Sequence, residues 1–305
     1  MLSVIIPAYN EEESIGAAAA AISGILEKAE IPYELVFVND GSTDGTWRKI
    51  ENEAAQRPFI RGLRFSRNFG KEAAIYAGLA AAKGECCAVI DADLQHPPEK
   101  LVEMYRLWED GYEVVEGVKA SRGEEPAAYG AFAKLFYRVI SAASGIDLYN
   151  ASDFKLLDRK VVDILLNMQE RNAFFRALSS WVGFRSVTVS YDVQERKAGT
   201  SKWSAVSLVK YALTNISSFS AAPLQLVTVF GVLMFAVSLV LSVIALYQKI
   251  TGVALGGFTT IILLQSFTGS IIMISLGIIG FYLARIYEEI KGRPRYIIAE
   301  TTKEE

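Results

Sequence analysis

Apolar blocks and polar loops alternate along the first hundred residues. Residues 2–7 form an almost unbroken apolar run, mostly apolar stretches follow at 33–38 and 86–90, and Leu63 and Phe65 alternate with Arg64 within 61–65. Short apolar runs bounded by turn residues read as buried strands. Residues 15–28 are rich in alanine and read as a helix, as do 47–56 and 73–82. Acidic residues at 11–13 suit the positive end of the first helix. Strand, loop and helix thus alternate four times, which predicts parallel βαβ units whose ligand-facing loops follow each strand. Further on, 114–118 and 186–193 read as strands and 128–144 as a helix, and 151–159 leads into another helix.

The pattern changes after residue 203. Val206, Val209, Leu213 and Ile216 recur at helical spacing and predict an interfacial amphipathic helix over 204–222. No charged residue occurs between Tyr211 and Gln248, or between Ile250 and Ala284. Each run exceeds the roughly 20 apolar residues needed to cross a bilayer. They predict two transmembrane helices, about 223–247 and 258–283. The short connection carries only Lys249, whereas Lys202 and Lys210 precede the pair and Arg285, Lys291, Arg293 and Arg295 follow it. That bias places both flanks in the cytoplasm. The expected organisation is an α/β domain over 1–203, the interfacial region 204–222, the hairpin 223–284 and a cytoplasmic tail 285–305. Neither apolar run is N-terminal, so no secretory signal is expected.

Charge and composition narrow the picture further. With 31 Lys and Arg against 34 Asp and Glu, the net charge of −3 offers nucleic acid no long-range attraction. The two cysteines, Cys86 and Cys87, are adjacent within a predicted strand, which excludes a disulfide framework and fits a reducing compartment.

The chemistry centres on Asp91 and Asp93, which end the fourth strand before Pro97-Pro98. If the chain stays extended there, residues i and i+2 share a face and both carboxylates look into one cleft. Two carboxylates held close repel unless a cation lies between them. With no Cys or His cluster nearby, a hard divalent ion with oxygen ligands and a diphosphate suits them better than zinc. Asp40 stands in the loop after the second strand, where it can hydrogen-bond a nucleoside or simply cap a turn. Glu11, after Tyr9, can do similar work or simply serve as an acid in the first turn of the helix. Arg122, Arg196 and Lys202 lie in loops as candidate phosphate ligands or surface ion-pair partners. His96 is the single histidine. Neither the dinucleotide fingerprint nor the P-loop pattern is present.

Six ordered motifs resemble glycosyltransferase family 2, and within it the polyprenyl-phosphate glycosyltransferases, which include dolichol-phosphate mannose synthases and bactoprenol glucosyltransferases. They are Val4-Ile5-Ile6-Pro7-Ala8-Tyr9-Asn10-Glu11, Val38-Asn39-Asp40-Gly41-Ser42-Thr43-Asp44-Gly45-Thr46, Arg67-Asn68-Phe69-Gly70-Lys71-Glu72, Asp91-Ala92-Asp93-Leu94-Gln95, the stretch from Ser152 to Arg159, and the stretch from Arg196 to Trp203. The resemblance implies a GT-A, Rossmann-like domain. It implies that Pro7, Tyr9, Glu11 and Asp40 hold the nucleoside. Asp91, Ala92, Asp93 and Gln95 would surround diphosphate and metal, with Asp93 the main ligand of Mg2+ or Mn2+ and Asp91 beside it. Arg122, Arg196 and Lys202 would bind phosphates, and Asp153 matches the position proposed as catalytic, as base or as orienting group. The subgroup often carries Asp where this chain has His96, and the Gln-x-x-Arg-Trp pattern of processive synthases is absent.

The implied activity is inverting transfer of a sugar, glucose from UDP-glucose, onto polyprenyl (undecaprenyl) phosphate. The implied setting is the cytoplasmic face of the plasma membrane, for a multi-pass protein forming a homo-oligomer. Two other functions fit the same residues: a non-catalytic sugar-nucleotide-binding membrane scaffold, and a glycosyltransferase acting on another lipid such as diacylglycerol. The second would need a true base for its hydroxyl acceptor.

Overall fold

The computed structural model describes residues 1–120, 152–168, 174–192, 222–251 and 257–302. The predicted alternation is present as β1 (Leu2–Ala8), α1 (Ile15–Lys28), β2 (Tyr33–Asn39), α2 (Thr46–Gln56), β3 (Ile60–Phe65), α3 (Lys71–Ala81) and β4 (Cys86–Val89). Then come α4 (Lys100–Glu109), β5 (Val114–Lys119), β6 (Lys155–Asp158), α5 (Arg159–Asn167), α6 (Phe175–Trp181) and β7 (Ser186–Tyr191). Two long helices, α7 (Ala222–Ile250) and α8 (Phe258–Ile290), precede a last strand, β8 (Ile298–Thr301).

All eight strands join one sheet in the order β7-β5-β6-β4-β1-β2-β3-β8. Within it β4, β1, β2 and β3 run parallel, with Ile5 opposite both Val36 and Val89. Every residue of β1 is buried, as expected of a parallel strand covered on both faces. On one face β1 and β2 contribute Val4, Ile6, Leu35 and Phe37 to a core shared with α1, α2 and α4. On the other, Val36, Val38, Leu63 and Phe65 pack against α3. A Cβ on Gly78 of α3 would lie 2.4 Å from Ile5 Cγ2, so the absent side chain lets the helix seat directly on β1.

Two strands depart from the parallel pattern. β6 inserts antiparallel between β4 and β5, with Val89 opposite Lys155. The sequence reading takes this stretch only as a lead into a helix, because four residues are too few to show alternation. β8 lies within the stretch read as a tail, yet pairs antiparallel with β3. Glu300 accepts from Trp47 Nε1 at 2.9 Å and pairs with Arg64, while Tyr296 stacks on Phe65 with centroids 5.2 Å apart.

The chain forms two compact units, Met1–Trp203 with Pro294–Glu305, and Ser204–Arg293. Within the second, α7 and α8 contact one another and contain the two apolar stretches predicted at 223–247 and 258–283. Among the described residues one segment, Phe267–Ile290, is by length and composition long and apolar enough to cross a membrane, and Val227–Leu241 is a shorter apolar segment. Both helices expose large apolar side chains, Phe235 and Met273 among them. The helix expected at 128–144, and that at 204–222 apart from Ala222, lie outside the described residues, as do Arg122, Arg196 and Lys202.

Candidate active site

β1 is the strand at which the sheet order reverses: β2 and β3 lie to one side of it and β4 to the other. Open α/β sheets bind ligands in the crevice beyond the carboxyl ends of the strands at such a point. Tyr9 and Glu11 follow β1, Asp40 follows β2, residues 66–70 follow β3, and Asp91, Ala92, Asp93 and Gln95 follow β4. Pro7 lies buried within β1 opposite Val38.

The first two loops are knitted together. Asn10, at a left-handed φ of 55°, accepts from Thr43 N at 2.9 Å, and its own N–H donates to Ser42 Oγ at 3.0 Å. Glu11 N donates to Thr46 Oγ1, and Glu11 Oε2 accepts from the Ser14 hydroxyl. Tyr9 beside them is about half exposed. Asp40 is buried, and its two oxygens accept from Phe69 N at 2.6 Å and Gly70 N at 2.9 Å. It therefore pins the loop after β3. Burial raises its pKa, against the pull of those two N–H groups. Gly41 next to it has φ +62°, and a Cβ there would meet the Arg67 carbonyl carbon at 2.4 Å, so only glycine fits the crossing of these loops.

The aspartates after β4 are placed by a turn, because the strand stops at Val89. Ile90 N still bonds Ile5 O, but residues 92 and 93 turn, Leu94 is left-handed at φ 56°, and Gln95 N donates to Asp93 Oδ1 at 3.1 Å. The i, i+2 alternation of an extended strand thus does not operate here. Ala92 is buried, while Asp91 and Asp93 are both partly exposed. His96 stacks on Phe154 with its Nδ1 3.9 Å from Asp91 Oδ2. Burial lowers its pKa, and Asp91 and Asp93 only partly offset that.

Asp153 enters from the other half of the sheet. β6 runs antiparallel to β4 with Val89 opposite Lys155, so Asp153, just before β6, and Asp91, just after β4, lie at the same end of the pair. The Lys71 ammonium, at the start of α3, bridges them, 2.5 Å from Asp91 Oδ1 and 3.0 Å from Asp153 Oδ2. Arg176 grips the same Asp153 with a fork, Nε to Oδ1 at 2.6 Å and Nη2 to Oδ2 at 2.7 Å. Burial alone would raise the Asp153 pKa, but Lys71 and Arg176 overcome it and hold the carboxyl far below the usual range. Asp91 is lowered in the same way, mainly by Lys71. Desolvation would lower Lys71, but the two carboxylates hold it above its ordinary value. Glu72 accepts from Phe175 N at 2.9 Å, and burial and then the nearby Asp153 push its carboxyl up to about 7.

Lys71, Glu72 and Arg176 are thus site residues that sequence reasoning passed over as such. Lys71 and Glu72 fall in a motif loop after a strand, and that position was the available signal. Arg176 sits on a seven-residue helix with no strand-end or motif signal. Among the described residues no three of His, Cys, Asp and Glu converge as a metal cage.

A Rossmann-like α/β sheet with polar loops gathered at its switch point, and a carboxylate–cation cluster beside them, is the architecture of the GT-A fold. Residues 3–165 match the model of glycosyl transferase family 2. The chain is 38% identical over 301 residues to the uncharacterized glycosyltransferase YkcC of Bacillus subtilis, covering 98% of this chain and 93% of that one. It is 35% identical over 304 residues to a prophage bactoprenol glucosyl transferase homolog of Escherichia coli, covering 99% of both. To the SfII prophage-derived bactoprenol glucosyl transferase of Shigella flexneri it is 34% identical over 302 residues, covering 98% of both. The chain belongs to glycosyl transferase family 2.

Proposed function

We propose that this enzyme transfers glucose from UDP-glucose onto polyprenyl phosphate, with inversion, at the cytoplasmic face of the plasma membrane. The relatives named bactoprenol glucosyl transferase, similar along their whole length, support the acceptor and the sugar. The observation that carries the reading is the state of Asp153. Its oxygens are taken by Arg176 and Lys71, and its proton affinity is far below the carboxylate norm. Such a group makes a poor base for an acceptor hydroxyl. A phosphate monoester, whose second pKa is about 6, is already an anionic nucleophile at neutral pH. A phosphate oxygen attacks the anomeric carbon, the bond from that carbon to the donor diphosphate breaks, and UDP leaves with the electron pair. No proton need be removed. Asp153 then serves not as a base but as an orienting group that holds Lys71 beside Asp91, which disfavours the diacylglycerol reading.

The pair Asp91 and Asp93 fits a hard cation, since magnesium is commonly held by one or two carboxylates together with substrate phosphates. Asp93 would be its main ligand, with Asp91 beside it, and Mg2+ or Mn2+ would supply neutralisation of the leaving diphosphate. Tyr9, Glu11 and the loops pinned by Asp40 would receive the nucleoside, with Pro7 beneath them. Ala92 and Gln95 would border the diphosphate. Arg122, Arg196 and Lys202 are assigned to phosphates by family resemblance.

Chain topology supports two crossings. β8 belongs to the same folded unit as residues 1–203. A single crossing would put β8 on the opposite side of the bilayer from β3, its partner, so α7 and α8 must cross together or not at all. Their outward apolar side chains favour crossing.

Purified full-length protein in lipid nanodiscs, given undecaprenyl phosphate, Mn2+ and a panel of nucleotide sugars, tests the proposal by mass of the lipid product. One hexosyl added to the lipid phosphate from UDP-glucose is expected. Transfer to diacylglycerol, or nucleotide binding without release of UDP, would overturn it.

A further inference from the structure

Behind Arg176 lies a second, buried cation that the transfer reaction does not itself require. Lys155 in β6 is completely buried, directly opposite Glu116 of β5, whose Oε1 is 3.1 Å from its ammonium. The same ammonium donates to Ser179 Oγ at 2.8 Å, Ser180 Oγ at 3.1 Å and the Arg176 carbonyl at 3.1 Å. Glu116 Oε1 also accepts from Ser152 N at 2.9 Å, one residue before Asp153. One carboxylate–ammonium pair thus ties down both sides of the Arg176–Asp153 fork: the backbone that presents the aspartate and the helix that presents the arginine. The strands approach so closely here that a Cβ on Gly117 would lie 2.4 Å from the Phe154 ring.

A fully buried lysine is a costly way to fill a core. Burial drags its pKa down against the pull of Glu116, and a well-packed apolar residue commonly serves stability as well as or better than a buried ion pair. The pair specifies orientation instead. Its three hydrogen bonds to Arg176 O, Ser179 Oγ and Ser180 Oγ tie down α6 along most of its length, and with it the direction from which the guanidinium reaches Asp153.

We infer that Glu116, Lys155 and Arg176 form a positioning unit for Asp153, and that Arg176 affects glycosyl transfer through that aspartate and not by gripping the sugar nucleotide. The inference rests on the reading that Asp153 serves the transfer reaction. It sharpens that reading by extending the machinery into the core, to residues that touch no substrate.

A double-mutant cycle in the full-length protein tests it, with kcat and the UDP-glucose KM measured separately. Asp153→Asn is expected to lower kcat about 100-fold, and Arg176→Met about 30-fold with KM within about twofold of wild type. The Asp153→Asn/Arg176→Met double variant should be no slower than Asp153→Asn alone, because the arginine has nothing left to position. Lys155→Met should lower kcat about 10-fold with the same unchanged KM, and the effect should vanish in the Asp153→Asn background. Arg176→Lys, which keeps the charge but loses the fork, should recover part of the loss.

Wild-type kcat in Arg176→Met, a raised KM at unchanged kcat, or multiplying effects in the double variant would each overturn the inference. Should Lys155→Met not fold, Ser179→Ala removes one of its acceptors at nearly constant volume. The same split, about threefold in kcat, is then expected, and an unchanged kcat would remove Lys155 from the unit. Full turnover by Asp153→Asn would instead remove Asp153 itself from the reaction, while no transfer to polyprenyl phosphate by the wild type would defeat the proposed function, so the failures read differently.

Discussion

The two sides of the crevice are built on different physics. On the β1–β3 side, loops are held by side chains bonding backbone: Asn10 to Thr43, Ser42 to Asn10, Asp40 to Phe69 and Gly70. On the β4–β6 side, side chains hold side chains, and charge dominates: Lys71 between Asp91 and Asp153, Arg176 on Asp153, and Glu72 against them. The first arrangement fixes a shape that salt barely touches. The second fixes a charge distribution that answers to salt and pH. A site divided in this way can hold a nucleoside by form while tuning the phosphate chemistry by field.

The contrast can be broken in four places. The largest effect is expected where the two sides meet. Asp93→Ala should lower turnover at least about 1,000-fold with thermal unfolding unchanged, and a chelator should arrest the wild type until Mn2+ or Mg2+ is restored. Turnover at the wild-type rate by that variant would remove the aspartates from the chemistry. Next, Asp40→Ala leaves two backbone donors without their acceptor and should cost about 2 kcal/mol in denaturant unfolding, nearly independent of ionic strength. A strong salt dependence would show that this side too is electrostatic.

Glu72→Gln probes the charged side through pH. The carboxyl titrates near 7 in the fold against an ordinary value of 4.5. The folded protein therefore keeps a proton that the unfolded chain has released. The stability this contributes is full below about pH 4.5 and is lost as pH rises through about 7. The variant should remove that slope and be the more stable by about 1–2 kcal/mol at pH about 8, read as the difference in melting temperature across the range. Identical slopes would mean the carboxyl is ionised throughout. The smallest effect is expected at Glu300→Gln, which weakens the contacts to Trp47 and Arg64 at an exposed edge. It should cost about 0.5 kcal/mol, with activity retained.

The same contrast decides what was legible in the sequence. Fully buried parallel strands show as apolar runs, and the loops that follow them hold Asn, Asp, Gly, Ser and Thr, because those residues satisfy backbone groups over short spans. Residues 2–93 therefore announced β1 to β4, their helices and most of the polar positions at the crevice. Asp91 and Asp93 stand out in the sequence by a spacing that the fold does not use, since a turn and not an extended strand sets them. The charge cluster was hidden because its members come from residues 71, 91, 153 and 176. The antiparallel pairing of β4 with β6 brings Asp91 and Asp153 to one end of the sheet, where α3 and α6 add Lys71 and Arg176, and a four-residue strand has no period to read. β8 was hidden likewise: its residues are all exposed, so no apolar face betrayed it.

That inconspicuous strand sets the order in which the molecule can be finished. β3 is made early, yet the partner for its outer edge is translated only after both long apolar helices. Until residues 298–301 have been made, the sheet carries an unguarded margin open to neighbouring chains. Completion of the sheet is thereby tied to synthesis past both long helices, and a copy cut short before β8 keeps an adhesive edge by which it would aggregate or be cleared.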